Sequence, residues 1–155
     1  MKQGKLLIGR TEWASLPDLG IPAIKAKIDT GARTSALHAF EIEPYVKRKI
    51  QYVRFKIHPM QQNDKVEILC HAPVIDSRLI MSSNGHKEHR WVIATTLQLG
   101  DESWEIEVTL SNRDPLKYRM LLGRQALSHR VVIDPSITCK RGKLKAKHVM
   151  LLYTR

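Results

Sequence analysis

The sequence predicts an all-β protein whose strands form a closed or folded sheet, with one short helix. Short apolar runs recur at regular spacing, residues with turn propensity separate them, and hardly any stretch has helical periodicity. A chain of 155 residues is large enough to bury a core. We therefore expect a single domain over residues 1–155.

The first half of the chain alternates between predicted strands and polar connections. Four runs are predicted to be strands, at residues 5–8, 23–27, 36–42 and 51–58. Residues 51–58 alternate apolar and polar side chains most regularly. Residues 16–22 contain two Pro and a Gly and are predicted to be a loop. The basic residues 47–49 are predicted to be a solvated loop, with contact to an anion as the alternative.

The second half of the chain contains two predicted hairpins and a short helix. Asn84-Gly85, a strong hairpin signal, lies between extended runs at residues 78–81 and 90–93. The remaining strands are predicted at residues 66–74, 91–99, 104–110, 120–122 and 131–133. Residues 124–128 are predicted to form the helix. The basic tail at residues 140–148 has no clear period, and the apolar run that follows it has no predicted structure.

Charge and cysteine content narrow the class of partner and the compartment. The 26 Lys and Arg exceed the 15 Asp and Glu, which gives a formal charge of +11. Such a charge attracts anions, so an acidic polypeptide or a nucleic acid is an expected partner, and simple solubility is the alternative. No apolar run approaches the roughly 20 residues of a membrane helix, so no membrane partner is expected. Two cysteines and no signal peptide predict a reducing cytoplasm.

An acid-containing turn, Ile28-Asp29-Thr30-Gly31-Ala32, directly follows the predicted strand at residues 23–27. A turn at the end of a strand fixes the carboxylate of Asp29 on a rigid element. The hydroxyl of Thr30 can brace the loop, and Gly31 lets backbone N–H groups and a second chain approach. The alternative is an ordinary turn, since Asp and Gly are common turn residues.

A second motif, Met120-Leu121-Leu122-Gly123-Arg124, places an apolar strand and a glycine before the short helix. Together with the Asp-Thr-Gly-Ala motif, it resembles the retropepsin family of aspartic proteases. The longer string at residues 27–39 resembles a bacterial branch of that family, usually labelled "ATP-dependent zinc protease". The resemblance extends roughly over residues 6–135 and implies the closed β-barrel of an acid protease.

The resemblance also implies roles for the motif residues. Aspartic proteases need two carboxylates that share one proton, and a chain with one Asp-Thr-Gly supplies the second by forming a homodimer. Asp29 of each chain would be catalytic, Thr30 would brace the two loops, and Gly31 would lie along the substrate backbone. Gly123 and Arg124 would be structural.

The family's substrate cleft is closed by a hairpin flap. The resemblance implies a flap at residues 78–91, with Ser82, Ser83 and Gly85 at its tip as substrate-binding residues. An ordinary surface connection is the alternative. Ala32 and Arg33, which follow the catalytic motif, are also expected to bind substrate.

Two features depart from viral retropepsins. Viral members carry an acid where Arg33 stands, and this acid pairs with the arginine that follows the late glycine. Arg124 therefore needs another partner, for which Asp76 and Asp134 are the candidates. Arg33 beside the cleft would favour acidic substrate side chains. The chain is also about half again as long as a minimal viral protease, so it could bind or assemble differently.

Motifs for cofactors are missing from the sequence. It contains neither a phosphate-binding loop nor a His-Glu-x-x-His pair. His86 and His89 have metal-ligand spacing, but no third ligand is evident nearby. Cys70 and His71 are adjacent on a predicted strand, so they face opposite sides and do not form a nucleophilic pair. We expect no cofactor and no metal, despite the family label.

The leading hypothesis is a cytoplasmic, homodimeric aspartic endopeptidase. Members of the resembled family tend to be associated with an ATP-dependent ligase that adds glutamates to a ribosomal protein, so acidic or glutamate-rich peptides are the expected substrates. The alternative is a non-catalytic module that binds acidic tails or RNA. RNA is less favoured, because only 6% of residues are aromatic. A metallopeptidase is the third possibility.

Overall fold

The structure is a computed structural model that describes residues 4–61, 64–81, 85, 87–112 and 117–154. Within these residues the chain forms eleven strands, two α-helices and a 3₁₀ helix at Pro17–Leu19. The strands are β1 (Leu6–Ile8), β2 (Thr11–Leu16), β3 (Ile21–Ile28), β4 (Ser35–His38), β5 (Phe40–Lys47), β6 (Ile50–Ile57), β7 (Ile68–Met81), β8 (Lys87–Leu99), β9 (Glu102–Ser111), β10 (Met120–Leu122) and β11 (Val131–Ile133). The helices are α1 (Arg124–Leu127) and α2 (Ala146–Tyr153).

Six strands close into a barrel in the order β2, β3, β10, β4, β9 and β8. The barrel closes where Ser15 of β2 pairs with Gln98 of β8. Two of its strand pairs are parallel, β3 with β10 and β4 with β9. The predicted all-β closed barrel is therefore confirmed.

The core lies inside the barrel and between the barrel and the sheet that continues from it. Its largest fully buried side chains are Phe55, Ile8, Leu16, Ile21, Ile24, Leu37, Ile57, Ile93, Leu97, Leu99, Ile106 and Leu110. Burying one such side chain contributes about 1.5–3 kcal/mol. These residues alternate along their strands with more exposed ones, which explains why the strand pattern is readable in the sequence.

In the first half of the chain, one predicted strand needs correction and one strand was not predicted. Residues 36–42 form two strands instead of one, because β4 pairs with β9 and β10 whereas β5 pairs with β6. Glu41 takes a left-handed backbone conformation (φ 50°) at the irregular start of β5. Strand β2 had no predicted structure, and its pattern is irregular because a charged residue, Glu12, is fully buried in it.

The C-terminal tail contains a helix that the sequence pattern did not predict. In α2, Val149 packs against Ala23 and Met60 on the outside of the barrel. The Tyr153 hydroxyl donates to the carbonyl oxygen of Ala23, and the Ala23 N–H donates to the Tyr153 oxygen at 3.3 Å. Burial raises the pKa of Tyr153. This helix is too short to be stable alone, so these tertiary contacts explain its presence.

The long β7–β8 hairpin extends beyond the barrel. Strand β6 pairs with β7 as far as Pro73, and β9 pairs with β8 as far as Val92. In the described part of the chain, the distal half of the hairpin therefore has only two strands. The predicted pairing on either side of Asn84-Gly85 is confirmed by the register, in which Met81 pairs with Lys87.

The sheet continues from β7 to β6 and then to β5, which is its edge. No residue of β5 is buried. Arg48 (φ 52°) and Lys49 (φ 67°) form the turn between β5 and β6 in a left-handed conformation. The short helix α1 is confirmed within one residue of its predicted end. No helix in the described ranges is long and apolar enough to cross a membrane.

Candidate active site

Asp29 lies where two parallel strands of the barrel end together. Strand β10 pairs with β3 in a register that sets Leu122 beside Ile28. The Asp29 N–H donates to the carbonyl oxygen of Leu122 at 2.9 Å, and the Ile28 N–H donates to that of Arg10 at the same distance. The Asp29 backbone is thus bonded to strand β10 rather than left in a loose loop.

The carboxylate of Asp29 is partly exposed and has one bonded oxygen. The Gly31 N–H donates to Oδ1 at 3.1 Å, and the Ala32 N–H donates to the Asp29 carbonyl at 3.2 Å. These two bonds form a tight turn that orients the side chain. No bond from another described residue reaches Oδ2. The arrangement therefore holds the carboxylate by one oxygen and leaves the second for a substrate, a water or a partner.

The late glycine motif packs directly against the acid-containing loop. The Arg124 N–H donates to the carbonyl of Ala32 at 2.9 Å, and the Gln125 N–H donates to that of Arg33 at 2.8 Å. A Cβ on Gly123 would lie 2.6 Å from the carbonyl oxygen of Thr34. Because backbone fills that position, only glycine fits there.

Ser35 completes the contact between the two motifs. Its side chain is fully buried, and its Oγ accepts a hydrogen bond from the Gly123 N–H at 3.1 Å. Sequence analysis did not single out Ser35. The signal that could have identified it is a hydroxyl six residues after Asp29, at the first position of β4.

Arg124 has a different partner from either predicted one. Its Nη1 donates to the carbonyl oxygen of Thr30 at 2.9 Å, within the acid-containing loop. Asp76 pairs instead with Arg78 at 3.3 Å. Asp134 accepts hydrogen bonds from the Ser136 N–H and hydroxyl, which lower its pKa. Both predicted partners were therefore wrong, because the charge is satisfied by a backbone carbonyl rather than by an acid.

The other predicted site residues fall into two groups, those that follow Asp29 in the chain and those predicted at the tip of the β7–β8 hairpin. Thr30, Ala32 and Arg33 follow Asp29 directly, and Thr30 and Arg33 are exposed. Gly85 is exposed in the β7–β8 hairpin with φ 84°, whereas Ser82 and Ser83 lie outside the described residues. No described contact joins the hairpin to Asp29, so its role as a flap stays a prediction.

A second carboxylate, which sequence analysis missed, lies nearby. Glu12 is fully buried and pairs in register with Ala26 of β3. Its Oε2 accepts bonds from the N–H groups of Gly9 at 2.7 Å and Lys140 at 2.8 Å. Its Oε1 accepts a bond from the N–H of Arg141 at 2.9 Å. Both oxygens are thus bonded to protein, which makes Glu12 a structural acid.

Metal and thiol chemistry find little support in the described residues. They contain no group of three His, Cys, Asp or Glu side chains placed to hold a metal ion. His89 stacks on Trp91, with ring centroids 4.2 Å apart, and His86 lies outside the described residues. Cys70 is buried, and this burial raises its pKa to about 12. His71 is exposed, which agrees with the prediction that the two do not form a nucleophilic pair.

In this site an acid follows a barrel strand, and a glycine-containing loop after a parallel strand packs against it. This is the arrangement expected of a retropepsin-like acid protease. Comparison with known proteins agrees with this class. The RimB-like family, described as "Retropepsin-like aspartic endopeptidase RimB", matches residues 7–143. The chain belongs to this family.

Similar proteins carry a different name. The chain is 46% identical over 153 residues to a "Probable alpha-L-glutamate ligase" of Shewanella pealeana, which covers 99% of this chain and 33% of that protein. A Desulfotalea psychrophila protein of the same name is 44% identical and covers 97% of this chain and 32% of that protein. The chain thus spans about a third of the length of these relatives.

A solved structure has the same fold. A crystal structure of a Legionella pneumophila protein of unknown function superposes with a TM-score of 0.75 at 28% identity. The match covers 90% of this chain and all of that one. The overall fold therefore recurs at low sequence identity.

Proposed function

We propose that this chain is an aspartic endopeptidase that acts as a homodimer, with one Asp29 from each protomer at the catalytic centre. The observation that carries the proposal is the Asp29 carboxylate, whose Oδ1 accepts a bond from the Gly31 N–H and whose Oδ2 accepts none from the residues that the structure describes. Membership in the RimB-like family supports the same chemistry. We also propose that residues 1–155 act as one peptidase domain.

The proposed mechanism needs two carboxylates that share one proton. Two acids about 3 Å apart do not both ionise, so one stays protonated while its mate is charged. The charged Asp29 takes a proton from a water between them, and the resulting hydroxide attacks the scissile carbonyl carbon. The protonated Asp29 donates to the carbonyl oxygen. Transfer of a proton to the leaving nitrogen then breaks the C–N bond.

The neighbouring residues have supporting roles in this proposal. The hydroxyl of Thr30 braces the two loops across the two-fold axis, and Gly31 and Ala32 lie along the substrate backbone. Gly123 and Arg124 support the acid-containing loop through their contacts with residues 30–34. The hairpin that carries Ser82, Ser83 and Gly85 closes over the substrate. The reaction needs no cofactor or metal.

We propose acidic, glutamate-rich peptides as the substrates. The formal charge of +11 attracts them, and the exposed Arg33 lies four residues after Asp29. The relatives are named as probable ligases of glutamate, so a glutamate-containing chain is a natural substrate for a peptidase domain of this family. We place this reaction in the cytoplasm.

Cleavage of a peptide with a C-terminal oligoglutamate tag tests the proposal. We expect Asp29→Asn to lower the rate at least about thousandfold, because the amide does not accept the proton from water. The matched control is Asp101→Asn at the exposed turn between β8 and β9, which should keep full activity. Full activity of Asp29→Asn, or inhibition by a chelator alone, would overturn the proposal.

Mixing the wild-type chain with Asp29→Asn tests the shared centre. Subunit exchange forms mixed dimers that have one carboxylate and one amide, and these should be inactive. With a ninefold excess of the variant, activity per wild-type chain should fall to about a tenth. Unchanged activity would mean that each chain works alone. Retained peptide binding by a wild-type chain that does not cleave would instead indicate a binding module.

A further inference from the structure

A three-stranded surface outside the barrel carries features that the peptidase reaction does not use. It consists of β5, β6 and the adjoining part of β7, and we call it the outer sheet. Its inner side packs on the core through Val53, Phe55 and Ala72. Because side chains alternate along a strand, its other side faces away from the core.

Unpaired positive charge is concentrated at the tip of the outer sheet. Lys47, Arg48 and Lys49 are exposed and have no ion pair with any residue in the described ranges. The two acids nearby are already neutralised. Glu43 pairs with Arg54 at 2.6 Å, and Glu41 pairs with Lys56 at 2.7 Å. An anionic partner would therefore meet three free cations at the tip.

Aromatic rings lie beside these cations on the outward side. Tyr45 and Tyr52 are direct cross-strand partners, and their rings stack with centroids 5.6 Å apart and planes 18° from parallel. His71 meets Tyr45 edge-on, and its Nδ1 lies 3.0 Å from the Tyr45 hydroxyl oxygen. Lys47 is two residues from Tyr45 on the same strand and so lies on the same side of the sheet. The rings and the charge thus form one continuous surface.

The sequence of the turn at the tip of the outer sheet is unusual for its backbone conformation. Arg48 and Lys49 both have a left-handed backbone conformation, as the two central residues of a type I′ hairpin turn do. Asn-Gly is the sequence that such a turn prefers, because side chains other than Asn, Asp and Gly are strained there. Strained residues that persist at an exposed position are typical of functional surfaces. The two basic side chains are therefore present despite their effect on the turn.

We propose that the outer sheet binds single-stranded nucleic acid, with phosphates at Lys47, Arg48 and Lys49 and a base stacked on the Tyr45–Tyr52 pair. Cations alone would serve an acidic polypeptide equally well. Ring faces favour nucleic acid, because bases stack on them and carboxylates do not. This surface is separate from Asp29, so the proposal does not depend on the peptidase reaction.

Fluorescence anisotropy with a labelled 12-nucleotide oligouridylate tests the proposal on the full chain. The double variant Arg48→Asn/Lys49→Gly removes two charges and installs the preferred turn sequence, so it should fold at least as well. We expect about tenfold weaker binding at 50 mM salt. The slope of log affinity against log salt should fall by about 1.4, since each lost phosphate contact removes about 0.7.

The matched control removes the same charge elsewhere. Lys143→Asn/Lys147→Gln changes two exposed lysines near the C-terminus. It should alter affinity less than about twofold if the phosphates bind at the tip. An equal loss in both double variants would mean diffuse attraction to the net charge and would overturn the proposal. No binding by the wild-type chain at 50 mM salt would also overturn it.

A second pair of variants tests the stacking without a change of charge. Tyr52→Leu should weaken binding about tenfold, because stacking of a base on an aromatic ring is lost. The control, Tyr118→Leu, changes a half-buried tyrosine outside the outer sheet and should have no effect. If Tyr52→Leu binds normally and oligoglutamate of equal length displaces the RNA, the surface recognises acidic polypeptides and the proposal is wrong. Circular dichroism confirms that each variant is folded.

Discussion

Glu12 lies on β2 and Asp29 directly follows the neighbouring strand β3, and the two acids have opposite surroundings. Glu12 pairs in register with Ala26, three residues before Asp29. Glu12 is fully buried, and its two oxygens accept three backbone N–H bonds. Asp29 is partly exposed, and within the described ranges its carboxylate accepts one bond, from the Gly31 N–H. Both oxygens of Glu12 are thus bonded to protein, whereas Oδ2 of Asp29 has no bonded partner in that part of the chain.

This difference separates a structural acid from a candidate catalytic one. A buried carboxylate is tolerated when hydrogen bonds replace its lost hydration, and Glu12 meets that condition by joining Gly9 to the loop at residues 140–141. An acid that must exchange protons with a water or a second acid needs an unoccupied oxygen and access to solvent. Asp29 has both. Burial and bonding therefore distinguish the two roles.

The largest effect is expected from the glycine behind Asp29. Gly123→Ala would place a methyl group 2.6 Å from the Thr34 carbonyl oxygen, where only backbone movement relieves the clash. We expect a loss of roughly 4 kcal/mol or more in the free energy of unfolding, measured by urea denaturation.

Gly4→Ala is the matched control, since no described atom beyond its chain neighbours lies within 4 Å of the added methyl group. It should be neutral. A stable Gly123→Ala variant would show that the loop around Asp29 yields easily, and the rigidity attributed to that acid would be wrong.

Next in size is the effect of Glu12→Gln. With its amide oxygen at the Oε2 position, glutamine keeps the bonds from Gly9 and Lys140 but turns its NH₂ group toward the Arg141 N–H. A buried donor facing a donor costs about 3 kcal/mol. We expect that loss in thermal and urea unfolding. Glu105→Gln, at an exposed position of β9, should change stability little, and an equal effect in both variants would contradict the structural role of Glu12.

The position of Asp29 in a turn after a strand could be predicted from the sequence for a physical reason. The loop and its support depend on backbone conformation and close approach, which restrict residue type at particular positions. Gly123 faces backbone atoms that leave no room for a Cβ, and Asp29 directly follows strand β3. Such requirements are visible as motifs in one sequence. The all-β class was predicted from the short apolar runs, and the closed barrel from the resemblance to acid proteases.

The structural role of Glu12 could not be predicted from a local motif. Its hydrogen-bond donors, at Gly9 and residues 140–141, come from the two ends of the chain. No local sequence pattern predicts that these segments meet. The buried charge also hid β2, because it breaks the alternation that predicts strands. The partner of Arg124 was missed for a related reason. It is a backbone carbonyl, which every residue has, so the sequence does not indicate which carbonyl accepts the bond. Contacts between segments that are distant in sequence are identified only from the folded structure.

A smaller effect is expected from Arg124→Met. Methionine keeps much of the aliphatic stem and loses the bond from Nη1 to the Thr30 carbonyl, which is 2.9 Å long and exposed. We expect a loss of about 1 kcal/mol in stability. Arg33→Met removes the same charge from a guanidinium that has no bonded partner in the described part of the chain, so its stability should be unchanged. If both variants lose equal stability, charge rather than the Thr30 contact explains the effect.

The smallest effect on stability is expected at the candidate catalytic acid itself. Asn in place of Asp29 keeps an oxygen for the Gly31 N–H, and the amide nitrogen takes the open side, so the free energy of unfolding should change by less than about 0.5 kcal/mol. Asp29→Ala removes the acceptor and should cost about 1 kcal/mol. Both variants should lack peptidase activity. If Asp29→Asn were instead as destabilising as Glu12→Gln, the second oxygen of Asp29 would have a protein partner, and the two acids would not differ.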